Sequence, residues 1–162
     1  MGSGKTTLGK KVAAHLQLSF VDMDNYIEQK NGRTISDIFA KEGESYFREL
    51  EHKALKELLN RDNVLVSTGG GAPCFFDNME LINSSAYSVY LKVDPEILVG
   101  RLKGATGERP LLANLSNEEL RLQISEKLAS REQFYMQSKL IYVSKGSANR
   151  DVASLVELLK RK

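Results

Sequence analysis

Six residues at the amino terminus have the types and spacing of a phosphate-binding loop: Gly2, Ser3, Gly4, Lys5, Thr6 and Thr7. Glycines let backbone N–H groups curl closely around an anion, and the positive end of the following helix points at the same place. A lysine at this position reaches nucleotide phosphates, and a threonine hydroxyl suits Mg²⁺. The leading glycine of the pattern would fall two positions before Met1. A glycine-rich tail that caps a helix is therefore the alternative.

Two carboxylates, Asp22 and Asp24, follow the apolar segment LSFV. Residues i and i+2 of an extended segment face the same side, so we expect these side chains to converge. One carboxylate can support Mg²⁺ while the other orients the hydroxyl of a second substrate, as a kinase requires. The structural alternative is that Asp24 caps the next helix and Asp22 is solvated.

Three consecutive glycines, Gly69, Gly70 and Gly71, follow the apolar segment VLVS and Thr68. Glycine weakens a strand, and it is useful where backbone must approach a ligand closely. The run therefore indicates a second ligand-binding turn, with a plain tight turn as the alternative.

Helices and strands alternate along the chain and must position these residues. Periodicity and capping signals predict helices at 5–16, 24–32, 34–43, 45–60, 94–104, 116–135 and 151–162, and short apolar segments predict strands at 18–24, 63–68, 86–93 and 140–143. Asp94 with Pro95, and Ser116 with Glu119, mark two helix starts. The alternation indicates βαβ units and a parallel sheet, which binds ligands at the carboxyl ends of its strands.

The composition is that of an ordinary globular chain of 162 residues, with 41% hydrophobic and 27% charged residues. A net charge of +2 gives no general case for binding nucleic acid or a membrane surface. Cys74 is the only cysteine, so no internal disulfide forms, which is compatible with a reducing cytosol. His15 and His52 have no matching metal ligands in the sequence.

The chain resembles the shikimate kinase family, which has the P-loop fold of nucleoside monophosphate kinases. The resemblance covers nearly all of it and rests on GSGKTTLG, DMD, GRTISDIFAKEGESYFRELE, STGGGAP, ERPLL and SREQFY, in family order and spacing. It implies a single domain over 1–162, a three-layer α/β/α fold with a parallel sheet of order 2-3-1-4-5, and a lid at about 104–115. It further implies phosphorylation of the 3-hydroxyl of shikimate by ATP with Mg²⁺, in a cytoplasmic monomer.

The resemblance also implies roles for individual residues. On the nucleotide side, residues 2–7 hold the ATP phosphates, Thr6 binds Mg²⁺, Asp22 supports the metal through water, and Arg101 packs against adenine. Asp24, Lys5 and Arg109 are the catalytic residues, with Asp24 orienting or deprotonating the attacking hydroxyl. The residues implied to bind substrate are Asp24, Arg48, Gly69, Gly70, Gly71, Arg131, Phe39 and Phe47. The segment 144–150 is the expected adenine-side loop.

Each substrate arginine also has a purely structural interpretation. Arg48 can pair with Glu44 and Glu51 along its own helix, and Arg131 can belong to a solvated face beside Lys127 and Glu132. The family spacing favours the carboxylate clamp, because a guanidinium matches a carboxylate as a two-pronged donor. Two other functions stay open: a kinase for another small hydroxylated acid or sugar such as gluconate, and a nucleotide-binding module without catalysis.

The start of the chain departs from the family. Relatives carry a central apolar strand and the first loop glycine ahead of the position of Met1, about 8–10 residues for a strand of ordinary length. We expect that Met1 is an internal methionine of the loop and that this strand is encoded upstream. The alternative is a truncated product whose flanking strands have unpaired backbone groups.

Overall fold

The computed structural model describes residues 2–104 and 116–162. Its helices are α1 Lys5–Leu16, α2 Met23–Asn31, α3 Ile35–Leu59, α4 Asn78–Ser85, α5 Pro95–Gly104, α6 Asn117–Tyr135 and α7 Ala148–Lys160. Its strands are β1 Ser19–Asp22, β2 Val64–Ser67, β3 Val89–Lys92 and β4 Leu140–Val143, and a short 3₁₀ helix spans Ala72–Cys74. In the described ranges, no helix combines the length and apolar character needed to cross a membrane.

The predicted alternation of strands and helices is confirmed, with differences in detail. The helices predicted at 34–43 and 45–60 run together as α3, across a kink where Gly43 takes φ 80° and ψ 177°. The strand predicted at 18–24 ends at Asp22, because the α2 helix begins at Met23. Helix α4 was not predicted, since its sequence NMELINSS carries only a weak apolar period.

Local capping chemistry fixes two helix starts as the sequence predicts. The Asp94 carboxylate accepts a hydrogen bond from the Glu96 backbone N–H at 2.8 Å, just ahead of Pro95 at the first position of α5. Ser116 and Glu119 form a complete capping box at the start of α6. Each cap satisfies backbone N–H groups that the helix itself leaves without partners.

Helices cover both faces of the strands and give a three-layer α/β/α arrangement. Leu65 of β2 packs into a cluster with Leu8 and Val12 of α1 and with Val152 of α7. The next residue, Val66, packs instead against the cluster formed by α2 and α3. Neighbouring strand residues point to opposite faces, so these two clusters lie on opposite sides of the sheet.

The strands form two parallel pairs rather than one continuous sheet. In the first pair, Ser19 to Asp22 of β1 lie beside Val64 to Ser67 of β2. In the second, Val89 to Lys92 of β3 lie beside Leu140 to Val143 of β4. Among the strands that the structure describes, no ladder joins β2 to β3. The parallel pairing confirms the predicted fold class, and the break falls where the family order places its first strand.

An apolar opening of about 570 Å³, called here the strand slot, lies between β2 and β3. It is lined by both strands and by residues of α1, α3 and α7, including Leu8, Val12, Leu55, Leu65, Leu91 and Leu155. Val64, Leu65 and Val66 are consequently half-buried. The sequence predicts a buried strand at this position, and the strand is present but only half-buried, because no strand that the structure describes covers the inner edge of β2.

Candidate active site

The carboxyl ends of β1 and β2 bring the acidic and glycine-rich segments together. Asp22, the last residue of β1, lies directly beside Ser67, the last residue of β2. The segment Gly69–Gly71 follows β2, and the phosphate-type loop at residues 2–4 leads into α1 on the same edge. This edge is where parallel sheets bind ligands.

The loop at residues 2–4 has the backbone shape of an anion cradle. Gly2 and Gly4 both have positive φ angles, 70° and 84°, a backbone conformation that residues with a Cβ rarely adopt. Arg101 of α5 donates from Nη1 to the Ser3 carbonyl oxygen at 2.9 Å. The loop carbonyls therefore point toward Arg101 and leave the N–H groups of the helix start available for phosphate.

Thr6 and Asp22 are joined by a direct hydrogen bond. Thr6 Oγ1 donates to Asp22 Oδ2 at 2.7 Å, while Asp22 Oδ1 accepts from the backbone N–H of Asp24 at 3.1 Å. Asp22 is thus the N-cap of α2. The sequence alternative named Asp24 as this cap and Asp22 as solvated, and that assignment is wrong for both residues.

Asp24 lies inside the first turn of α2, not at the end of a strand as its spacing from Asp22 implied. The two carboxylates are nonetheless neighbours. Burial raises the pKa of Asp24 above its ordinary value and the Asp22 charge raises it further, whereas Lys5 and Arg48 lower it. A carboxyl group balanced in this way between burial and two cations is suited to accepting a proton.

Two of the three glycines, Gly69 and Gly71, lie against charged side chains. A Cβ on Gly69 would lie 2.8 Å from Glu51 Oε1 and 2.9 Å from Asp24 Oδ1, and a Cβ on Gly71 would lie 2.5 Å from Arg48 Nη1. Both distances are shorter than real Cβ contacts, so a larger residue would require these side-chain ends to move. The glycines let the turn approach the side chains closely, which accounts for the glycine run better than a plain tight turn does.

Arg48 lies in a pocket of opposite charge and aromatic rings. Its guanidinium forms ion pairs with Glu51, whose side chain is only 2% exposed, and with Glu44. It also stacks over the Phe75 ring, 4.1 Å from the centroid. The helical pairing that the sequence allows is present, and the same guanidinium lies against Gly71. The structural and functional interpretations of Arg48 are therefore compatible.

Arg131 of α6 lies beside the same turn. A Cβ on Gly70 would lie 3.5 Å from Arg131 Nη1, and the Tyr135 hydroxyl donates to the Gly70 carbonyl oxygen. Arg131 is half-buried rather than on a solvated face. Two arginines, one on α3 and one on α6, thus lie beside the glycine turn.

The remaining predicted residues differ in how the structure describes them. Phe39 and Phe47 stack with ring centroids 4.7 Å apart, with Phe47 buried and Phe39 partly exposed. Thr7 is an exposed residue of the first turn of α1. Arg109 and residues 105–115 of the expected lid lie outside the described residues.

Three contacting residues are not identified from the sequence: Phe75, Asn78 and Tyr135. The motif segment SREQFY contains Tyr135, but the segment does not show what the side chain touches. The pairing of Glu51 with Arg48 follows from their helical spacing and is confirmed.

No group of three or more His, Cys, Asp or Glu side chains able to hold a metal occurs among the described residues. The oxygens of Thr6 and Asp22 nevertheless fit a hard cation such as Mg²⁺, which keeps most of its waters and takes other ligands from nucleotide phosphates. This donor pair lies at the start of α1, beside the phosphate-type loop.

The comparisons with known proteins agree with one another. A sequence profile described as shikimate kinase matches residues 1–160. The shikimate kinase of Phocaeicola vulgatus is 45% identical over 163 residues, which cover all of this chain and 93% of that protein. The shikimate kinase of Parabacteroides distasonis is 49% identical over 142 residues, covering 88% of this chain and 82% of that protein.

Two solved structures have the same fold. The crystal structure of shikimate kinase from Bacteroides thetaiotaomicron superposes with a TM-score of 0.91 at 42% identity, covering 99% of this chain and 94% of that one. The shikimate kinase from Acinetobacter baumannii, solved in complex with shikimate, has a TM-score of 0.87 at 34% identity, covering 99% and 89%. The chain belongs to the shikimate kinase family.

Proposed function

We propose that this chain transfers the γ-phosphoryl group of ATP to the 3-hydroxyl of shikimate, and that the site described above performs the transfer. Family membership makes the chain a kinase, an enzyme of the transferase class. The observation that carries the site assignment is the position of Asp24. Its carboxylate is close enough to Lys5 and Arg48 for both cations to lower its pKa, and it borders the glycine turn.

The nucleotide half of the site consists of the loop at residues 2–7. Backbone N–H groups at the start of α1 would hold the phosphates, and Lys5 would neutralise charge on the group in transfer. Arg101 holds the Ser3 carbonyl and lies beside the loop, where it would also contact the base. Arg109 would reach the phosphates from the lid.

Thr6 and Asp22 would hold Mg²⁺ together with the phosphates. The Thr6 hydroxyl would bind the ion directly and Asp22 would accept hydrogen bonds from its waters, since both oxygens lie together at the start of α1. The bound ion would neutralise charge that develops on the phosphoryl oxygens.

The acid half of the site consists of the glycine turn and its two arginines. Arg48 and Arg131 would clamp the shikimate carboxylate, Gly70 would offer a backbone N–H, and Phe39 with Phe47 would wall the ring. Asp24 would hydrogen-bond the attacking hydroxyl and take its proton as the phosphorus–oxygen bond forms.

We also propose that the enzyme works as a cytoplasmic monomer.

The test is shikimate-dependent release of ADP by the purified chain. The same assay runs with gluconate and other hydroxylated acids, and with Mg²⁺ replaced by EDTA. We expect release with shikimate and Mg²⁺ only. Release that is faster with another acceptor would transfer the assignment to that acid, and ATP binding without any release would identify a non-catalytic nucleotide-binding module.

A further inference from the structure

The end of the glycine turn is tied to α3 by a buried amide. Asn78, the first residue of α4, has no exposed surface, and its Nδ2 donates to the Ala72 carbonyl oxygen at 2.7 Å. Ala72 directly follows Gly71 and is itself fully buried. The Ala72 N–H donates back to the Gly69 carbonyl oxygen at 3.2 Å, which closes the turn. The Asn78 amide therefore holds the residue at which the glycine turn ends.

The other end of this amide is held by a histidine. His52 Nδ1 lies 2.6 Å from Asn78 Oδ1. Because Nδ2 donates to Ala72, the oxygen must accept, and the network assigns the proton of the neutral ring to Nδ1. The His52 ring packs on Phe76, with centroids 5.0 Å apart, and its side chain is 20% exposed. His52 therefore orients Asn78 from α3.

The same helix carries the side chains that the turn must meet. His52 directly follows Glu51 and lies four residues after Arg48 on α3. Gly71 lies beside the Arg48 guanidinium and Gly69 lies beside the Glu51 carboxylate, so a displacement of the turn would change the position of both glycines relative to these side chains. The His52–Asn78–Ala72 chain is thus a brace between α3 and the turn.

We propose that Asn78 and His52 are positioning residues for the acid-binding half of the site. They do not touch the substrate, and they set the distance between the glycine turn and Arg48. This inference rests on the proposed function, because the affected ligand is shikimate. The expected signature is a rise in KM for shikimate with KM for ATP nearly unchanged.

The experiment measures both KM values and kcat for Asn78→Asp and His52→Ala. A carboxylate at 78 cannot donate to the Ala72 carbonyl, and alanine at 52 removes the donor to Asn78. Loss of one hydrogen bond corresponds to about a threefold to tenfold rise in KM for shikimate. His52→Gln supplies a side-chain amide donor and should recover part of the loss.

Asn83→Asp is the matched control. Asn83 lies on the same helix, and its Nδ2 also donates to a backbone carbonyl, that of Gln137, which is not part of the glycine turn. A purely structural role would lower the thermal midpoint without separating the two KM values. If Asn78→Asp does not fold, the partly exposed His52 variants still decide the question. Unchanged KM for shikimate in His52→Ala would overturn the proposal, whereas failure of the unmodified chain to use shikimate would refute the proposed function instead.

Discussion

Replacing Arg48 by alanine should destabilise the protein as well as weaken shikimate binding, because Arg48 compensates a buried charge. The Glu51 side chain is 2% exposed and pairs with Arg48, whose own side chain is 11% exposed. Removing one partner of a buried ion pair costs about 3–5 kcal/mol. Arg131 still lowers the pKa of Glu51, so we expect the lower end of that range. This is a large share of an ordinary total stability of about 5–15 kcal/mol.

The pH dependence of this loss has a definite sign. Burial already raises the pKa of Glu51, and the Arg48 hydrogen bond and charge oppose that rise. Without Arg48 the pKa rises further. When the pKa of a carboxyl group is higher in the folded than in the unfolded state, the group favours folding at pH values below its pKa in the unfolded state. That contribution to stability is lost as the pH rises through the pKa in the folded state. The stability deficit of Arg48→Ala should therefore be larger at pH 8 than at pH 5.

Chemical denaturation at the two pH values measures the deficit, and calorimetry measures shikimate affinity. The double variant Arg48→Ala/Glu51→Gln should recover most of the stability, since a glutamine leaves no buried charge, but none of the shikimate affinity. Arg33→Ala is the matched control, because Arg33 pairs with Glu42 on the surface with side chains 31% and 33% exposed. We expect only a small loss of stability there, because ion pairs between exposed side chains contribute little.

Two outcomes would refute this reasoning. If Arg48→Ala is no less stable than Arg33→Ala, Glu51 does not depend on Arg48 for compensation. If the double variant binds shikimate as tightly as the unmodified chain, Arg48 does not hold the substrate carboxylate. ATP affinity should stay nearly unchanged in all of these variants.

Three further predictions follow from the same geometry. Asp24→Asn should lower kcat by about 10²–10⁴-fold with little change in thermal midpoint, since Asp22 and not Asp24 caps α2; near-normal turnover would exclude a role in proton transfer. Arg109→Ala should lower kcat while calorimetry shows unchanged shikimate affinity, and a selective loss of that affinity would contradict a role on the phosphates. An extension of about 8–10 residues ahead of Gly2, made of an apolar strand followed by the first loop glycine, should fill the strand slot and raise the thermal midpoint above that of a Gly/Ser extension of equal length; equal midpoints would show that the slot does not accept a strand.

The parts of the molecule that sequence patterns predict are those fixed by local chemistry. Two glycines with positive φ, the Ser116 capping box and the Asp94 helix start all follow from rules that operate within a few residues. The parallel pairing of strands follows from the alternation of helix and strand. These features need no knowledge of which distant residues meet.

The parts that could not be predicted depend on tertiary contacts. The sequence predicts Asp22 and Asp24 on one side of a strand. Helix α2 instead begins one residue after Asp22, which places Asp24 in the first turn of the helix. Asn78 belongs to a helix with a weak apolar period, and its role rests on contacts with Ala72 and His52, six and twenty-six residues away. Local patterns hold no information about such partners.

The division of the sheet also divides the candidate site. Asp24, Arg48 and the glycine turn belong to the half built on β1 and β2, whereas Arg101 and Arg131 belong to helices that follow β3. Hydrogen bonds between described residues cross from one half to the other at the site: Arg101 holds the Ser3 carbonyl, and Tyr135 holds the Gly70 carbonyl.

Beneath these contacts, Leu8 and Val12 of α1 pack in one cluster with Leu65 of β2 and Leu91 of β3, on either side of the strand slot. A displacement of about 1 Å between catalytic groups is enough to cost about 10²-fold in rate. The spacing of β2 from β3 therefore bears directly on the spacing of Arg48 from Arg131. A strand that fills the slot should affect turnover as well as stability, because the ladders on its two edges would fix the two halves of the site relative to each other.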